Sequence, residues 1–117
     1  MPTTDDVRAL ALGLPEAVEQ ETWGHPTFRV RKKMFGTLAS DGSTATMKAS
    51  REEQAALVHS DPETFFVPAY VGRHGWVGFH VSLVDPVELA ELVTEAWRMT
   101  APKTVVRAFD EAVDPGA

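Results

Sequence analysis

Apolar residues recur at helical spacing near the start of the chain. Spacings of three and four residues place four of them on one stripe of a first helix within TTDDVRALALGLPE, and these four are Val7, Leu10, Ala11 and Leu14. Thr3 or Thr4 is the expected N-cap, and Gly13 followed by Pro15 is expected to end the helix. The stripe predicts that this helix packs against a sheet or another helix.

From Val18 to Lys48 the pattern changes to short segments rich in Thr, Val, Phe and Met, separated by glycine and proline. We predict four strands here, at about 18–22, 27–30, 34–39 and 44–48. The pair Asp41-Gly42 lies between the last two, and Asp-Gly favours a tight turn because both residues tolerate positive φ. The four strands are therefore expected to pair as an antiparallel meander.

The second half of the chain shows signals for three helices and one strand. A helix is expected to begin at Ser50, because Glu53 lies three residues later as in a capping box, and to end near Asp61-Pro62. Trp76 to Val81 is apolar with glycines around it, which predicts one more strand. The segment DPVE from Asp85 provides an N-cap and a proline at the first helical position, and a last short helix is expected from Pro102.

This order of elements favours one fold class. Helices that interrupt an antiparallel sheet indicate an α+β two-layer sandwich, with a sheet of about five strands and the helices on one face. A dinucleotide-binding fold is disfavoured, because strands and helices do not alternate and no glycine motif follows a strand. The 117 residues suffice for one core, so we predict a single domain over residues 1–117.

Composition limits the cellular location, the partners and the sulfur chemistry that we expect for the protein. No apolar run is long enough to span a membrane, and MPTTDDVRAL carries acids where a signal peptide has basic residues, so a cytoplasmic location and no membrane partner are expected. The absence of cysteine excludes disulfides, thiolate metal sites and a cysteine nucleophile. A formal net charge of -6 opposes general attraction to nucleic acid.

The charge is nevertheless segregated along the sequence. Residues 29–51 carry six bases and one acid, whereas residues 1–28 carry one base and five acids and residues 52–97 one base and eight acids. Arg29 to Phe35 spells RVRKKMF, in which Arg29, Arg31 and Lys33 would share one face of a continuous strand. A turn at Arg31-Lys32 would instead project the cations from a hairpin tip toward phosphates. Protection of exposed strand ends against edge pairing explains the same residues without a ligand.

No pattern indicates catalysis. The four histidines lack the spacing of a zinc motif, no serine lies in a nucleophile elbow, and no phosphate-binding glycine loop is present. We therefore expect a protein that is not an enzyme, with no catalytic residues, no metal and no cofactor. A partner of another kind, a small molecule or a protein, could bind a cleft lined by aromatic and histidine side chains beside glycines. The candidates for this cleft are Trp23, His25, Tyr70, His74 and Trp76.

Three segments together resemble the MmcQ/YjbR family of small bacterial proteins. They are WGHPTFRVRKKMFGTL (23–38), YVGRHGWVGFHV (70–81) and ELVTEAWRMTAPK (91–103). The resemblance implies a compact fold similar to the CyaY or secretion-chaperone type, and binding of double-stranded DNA, since the family is labelled DNA-binding from a likeness to a double-wing shape. The positions that would carry this binding are Arg29, Arg31, Lys32, Lys33, Arg73, His74, Lys103 and Arg107.

Overall fold

Six strands and four α-helices make up the part of the chain that this computed structural model describes, residues 2–113. In chain order they are α1 (Thr4–Leu12), β1 (Ala17–Thr22), β2 (His25–Val30), β3 (Lys33–Leu38), β4 (Thr44–Met47), α2 (Arg51–Ser60), β5 (Phe65–Phe66), a 3-10 turn (Val71–His74), β6 (Val77–His80), α3 (Pro86–Arg98) and α4 (Lys103–Val113). All neighbouring strands are antiparallel, in the order β1-β2-β3-β4-β6-β5. The predicted α+β class is confirmed, with six strands rather than about five.

The strand that the sequence pattern missed is β5. Phe65 pairs with Phe79 and Phe66 with Gly78, so two residues add an edge strand to β6. A segment this short shows no periodicity, which is why no strand was predicted there. Phe66 lies over Gly78, where a Cβ would come within 2.3 Å of the phenyl ring. The glycine therefore lets the edge strand lie close to the sheet.

Two-residue turns set the register of the first three strands. Arg31 and Lys32 have φ values of 48° and 71°, and Val30 pairs with Lys33 across them. Trp23 and Gly24 have φ values of 53° and 86° between β1 and β2. Positive φ at both central residues is the backbone of a type I′ turn, whose twist matches that of antiparallel strands. Of the two conformations considered for the basic run, the turn is the one observed.

The predicted turn at Asp41-Gly42 is part of a longer loop. β3 ends at Leu38 and β4 begins at Thr44, so five residues connect them. Gly42 has a φ of 77°, and the Asp41 carboxylate accepts hydrogen bonds from the backbone and hydroxyl of Ser43 at 2.9 and 2.7 Å. These two bonds hold the pKa of Asp41 below its ordinary value. The Asp-Gly signal thus identified the loop but not its length.

The core lies between one face of the sheet and the helices. Its largest buried side chains come from the strands and from α3, and they include Phe28, Phe35, Phe65, Phe79 and Trp97. The Trp97 indole donates a hydrogen bond to the carbonyl of Pro15 at 2.9 Å, and its ring contacts Phe109 edge to face at a centroid distance of 5.0 Å. One tryptophan therefore joins α3 to the segment after α1 and to α4.

The opposite face of the sheet is polar. One row of cross-strand pairs crosses all six strands on this face, and it consists of Gln20, Thr27, Thr37, Thr46, Gly78 and Phe66. Thr–Thr pairs of this kind contribute modestly to the pairing of adjacent strands. Antiparallel sheets commonly pack one face on the core and leave the other in water. We call this side the open face.

A glycine fixes the 3-10 turn against the start of α2. Gly75 has a φ of 97°, and a Cβ there would lie 2.8 Å from both the Ala49 carbonyl oxygen and the Arg51 amide nitrogen. The Gln54 side chain donates to the carbonyls of Gly72 and Trp76 at 2.7 and 2.6 Å. These contacts fix the position of the 3-10 turn relative to α2.

The close approach at Gly75 gives a test with a matched control. Gly75→Ala and Gly24→Ala both place a side chain at positive φ, but no atom of the described residues lies within 4 Å of the Cβ position at Gly24. We expect G24A to lower the free energy of unfolding by about 1–2 kcal/mol from backbone strain. G75A should cost roughly 1–3 kcal/mol more because its methyl group meets backbone atoms that cannot move aside. Urea unfolding measures both, and equal losses would contradict the close packing.

Candidate nucleic-acid interface

The register of the central strands brings separate basic residues to one end of the sheet. Gly36 pairs with Met47, so the start of β3 lies beside the end of β4, and the Lys48 amide donates to the Phe35 carbonyl at 3.0 Å. The Arg31-Lys32 turn and Lys48 therefore lie at the same end. In an antiparallel pair the start of one strand lies beside the end of its neighbour, so residues before β3 and after β4 are brought together.

The same end of the sheet receives two further arginines. Met47 pairs with Val77, so the 3-10 turn that precedes β6 lies beside the segment that follows β4. The packing of Gly75 on Ala49 and Arg51 brings the two segments into contact. We call the resulting surface the basic end, and define it by Lys32, Lys33, Lys48, Arg51 and Arg73.

The cations of the basic end have no acidic partners among residues 2–113. The ion pairs within 4.0 Å in this part of the chain are made by three other arginines, Arg8, Arg31 and Arg98. Lys32, Lys33, Arg51 and Arg73 are also exposed to solvent, and His74 beside them is exposed as well. Their charges are therefore available to an anionic partner.

Two of the predicted site arginines are bound within the protein. The Arg29 guanidinium donates to the Lys32 carbonyl at 3.1 Å and to the hydroxyls of Thr27 and Thr22 at 3.3 Å each. It therefore lies along the open face, and its bond to the Lys32 carbonyl stabilises the β2–β3 turn. Arg31 instead forms an ion pair with Glu16, through two of its nitrogens.

Lys103 and Arg107 lie on α4. α4 borders a shallow pocket of about 420 Å³ whose lining includes Thr104, Pro15 and Glu16, the partner of Arg31. Both cations are exposed, and neither has an acidic partner within the described residues. The start of α4 therefore lies on the same side as Glu16, but Lys103 and Arg107 are not among the residues that the sheet register brings to the basic end.

The alternative cleft is not assembled. Trp23 and His25 belong to the β1–β2 turn, at the end of the sheet opposite to the 3-10 turn with Tyr70 and His74. Trp23 and Tyr70 are 95% and 91% exposed, whereas Trp76 is buried at 8%. The hairpin register separates residues that are similar in type, so these five do not line one surface, and His74 belongs with the basic end.

Lys48 and Arg51 are the site residues that sequence reasoning missed. Both lie within residues 29–51, the one segment with an excess of bases. The charge count therefore contained the signal, but only the register of β4 with β3 and β6 shows that they join the hairpin tip. Neither residue lies in one of the three segments that resemble the family.

Carboxylates gather on the helical layer instead. Partial burial, followed by the charges of Glu95 and Glu91, raises the pKa of Glu53. Partial burial, followed by the charges of Asp85, Asp61 and Glu91, raises the pKa of Glu88. These acids on α2 and α3 are thus close enough to repel one another. They form an acidic patch on the helical layer, apart from the cations of the β2–β3 turn.

The fold and the basic end define a class of protein: a two-layer α+β domain with one largely polar sheet face and, at one end of the sheet, a group of cations without acidic partners among residues 2–113. The sequence pattern of the YjbR family matches residues 12–99, and the chain belongs to this family. The resemblance of the three segments is thereby confirmed.

Two relatives and one solved structure are similar to most of this chain. The uncharacterized proteins Rv2570 of Mycobacterium tuberculosis and Mb2600 of Mycobacterium bovis are each 28% identical over 124 residues, covering 93% of this chain and 96% of the relative. The crystal structure of Deinococcus radiodurans protein DR2400, a DUF419 domain, superposes with a TM-score of 0.77 at 20% identity, over 85% of this chain and 78% of that chain. This likeness shows the same fold. The expected similarity to CyaY and secretion chaperones stays a prediction.

Two further kinds of site are absent from residues 2–113. Within this range no group of three or more His, Asp or Glu side chains is arranged to hold a metal ion. No helix in the same range is long and apolar enough to cross a membrane.

The raised pKa values of Glu53 and Glu88 predict that these two glutamates lower the stability of the folded protein at neutral pH. A raised pKa in the folded state means that protonation favours folding, so this contribution is complete below the ordinary glutamate pKa and is lost as the pH rises through the raised value. We expect Glu53→Gln and Glu88→Gln to raise Tm at pH 7, with the gain shrinking as the pH falls to about 4. Thermal melts from pH 4 to 8 measure it. Glu52→Gln, on the exposed first turn of α2, is the control, and a gain of equal size there would contradict repulsion at the two sites.

Proposed function

We propose that the protein binds double-stranded DNA through the basic end, in a binding rather than a catalytic role. The observation that carries this proposal is the meeting of Lys32, Lys33, Lys48, Arg51 and Arg73 at one end of the sheet, where none of them has an acidic partner in the described part of the chain. Unpaired cations held on a rigid surface are what phosphate contacts require, because each neutralised phosphate releases condensed counterions.

The shape of the basic end suits a duplex. The β2–β3 hairpin lies inside the six-stranded sheet, between β1 and β4, and its turn is fixed by type I′ geometry and by the bond from Arg29 to the Lys32 carbonyl. The turn would meet the duplex together with the end of the sheet beside it. Lys48, Arg51 and Arg73 lie to one side of the turn, where they would contact further phosphates. Most of these contacts would position the protein without reading the sequence.

Segregation of charge makes binding compatible with the net charge of -6. Carboxylates on α2 and α3 turn the helical layer away from DNA, while the basic end is attracted to it. A molecule with this distribution is oriented by the field of the duplex before contact. Because the acids still repel the duplex at long range, we expect modest affinity that depends strongly on salt.

The proposal predicts a specific salt dependence. Lys32→Gln should weaken binding to a 20-base-pair duplex about three- to tenfold near 0.1 M salt, and lower the slope of log K against log salt by about 0.9. The double variant Lys32→Gln/Lys33→Gln should lower the slope roughly twice as much. Fluorescence anisotropy between 20 and 200 mM salt measures both quantities.

Arg8→Gln is the matched control, because it removes one positive charge from a residue on α1 that is paired with Glu19 and is not part of the basic end. It should leave the slope unchanged. No binding of the wild-type protein at 20 mM salt would overturn the proposal, as would equal effects of R8Q and K32Q.

A further inference from the structure

Glu16 occupies an unusual position next to the basic end. It lies between α1 and β1 with a φ of 61°, in the left-handed region that non-glycine residues seldom adopt. Its carboxylate accepts from Arg31 Nε at 2.7 Å and from Arg31 Nη2 at 3.1 Å. Arg31 itself lies in the β2–β3 turn with a φ of 48°. Two turns from different parts of the chain are thus joined by a bidentate ion pair.

The edge of Arg31 that Glu16 occupies is the edge that would bind phosphate. The Nε and Nη2 groups of a guanidinium form a planar fork that matches two oxygens of a carboxylate or of a phosphate equally well. Lys32 and Lys33, directly after Arg31, have no such partner within residues 2–113. Of the cations at the hairpin tip, Arg31 is therefore the one that already holds an anion.

We infer that Glu16 is an internal competitor for phosphate, which lowers the affinity of the basic end by occupying Arg31 until a duplex displaces it. This inference rests on the proposed function. The pair is exposed on both sides, with side-chain exposures of 58% for Arg31 and 43% for Glu16, so a ligand can reach it without opening the fold. Exposed ion pairs are weak, which limits the competition to about two- to fivefold in affinity.

Competition should change the affinity more than the count of released ions. A cation that neutralises a phosphate releases condensed counterions from the duplex, whether or not Glu16 held that cation beforehand. A single freed carboxylate does not condense counterions as a duplex does. Arg31 should therefore contribute an increment to the salt slope in the wild-type protein, and Glu16 should lower the affinity with little effect on that slope.

The test is a double-mutant cycle on duplex binding, with the probe and salt range used for Lys32. Glu16→Gln should tighten binding about two- to fivefold with little change in the salt slope. Arg31→Gln should lower the slope by about 0.9, and E16Q/R31Q should bind like R31Q alone. Glutamine retains the side-chain length at φ 61°, so the backbone strain at position 16 stays nearly constant.

Glu19→Gln is the matched control. Glu19 also pairs with an arginine, Arg8 at 3.0 Å, but that arginine lies on α1 rather than in the β2–β3 turn, and the loss of Glu19 changes the net charge by the same amount. Equal gains from E16Q and E19Q would overturn the inference and leave DNA binding intact, and so would an E16Q gain that persists in the R31Q background. Failure of every variant to bind duplex would overturn the proposed function as well.

Discussion

The tight turn at Arg31 and Lys32 is the constraint on which the rest of the molecule depends. Pairing of Val30 with Lys33 across two residues at positive φ leaves β2 and β3 only one register. That register directs Phe28 and Phe35 into the core and leaves the cations at the tip. The bulge after Phe28 lets both phenylalanines reach the same side. Packing and charge are therefore decided by the same few residues.

From this hairpin, each added strand extends the separation of charge. β4 and β6 follow in register, and their connections deliver Lys48, Arg51 and Arg73 to the end where the turn lies. The helices cover the other face of the sheet, and α2 and α3 carry a cluster of acids that includes Glu53 and Glu88. Because the core occupies only one side of the sheet, this cluster and the cations of the β2–β3 turn lie on different layers. An acidic protein can in this way present a locally basic surface.

The sequence predicted most of the elements, because their signals are local. Caps at Thr3, Ser50 and Asp85 are found as hydrogen bonds in the structure, and four alternating segments form β1 to β4. β5 was missed, because two residues are too few to show a period.

The candidate site was harder to predict, because it depends on register between strands distant in sequence. The cleft from Trp23 to Trp76 combined residues of similar chemistry that the sheet separates, and Lys48 and Arg51 joined the site only through pairing. The bond between Arg31 and Glu16 spans fifteen positions, and no motif marks it.

The most direct test of charge segregation is a titration of the ¹⁵N-labelled protein with a short duplex at low salt, followed by amide chemical shifts. If the basic end is the interface, the largest changes will fall at residues 31–33, 48–51 and 72–75, and residues 88–95 of α3 will not respond. Changes centred on the Trp23-Gly24 turn, on the open face or on α3, without changes at the basic end, would contradict the assignment of the basic end as the interface.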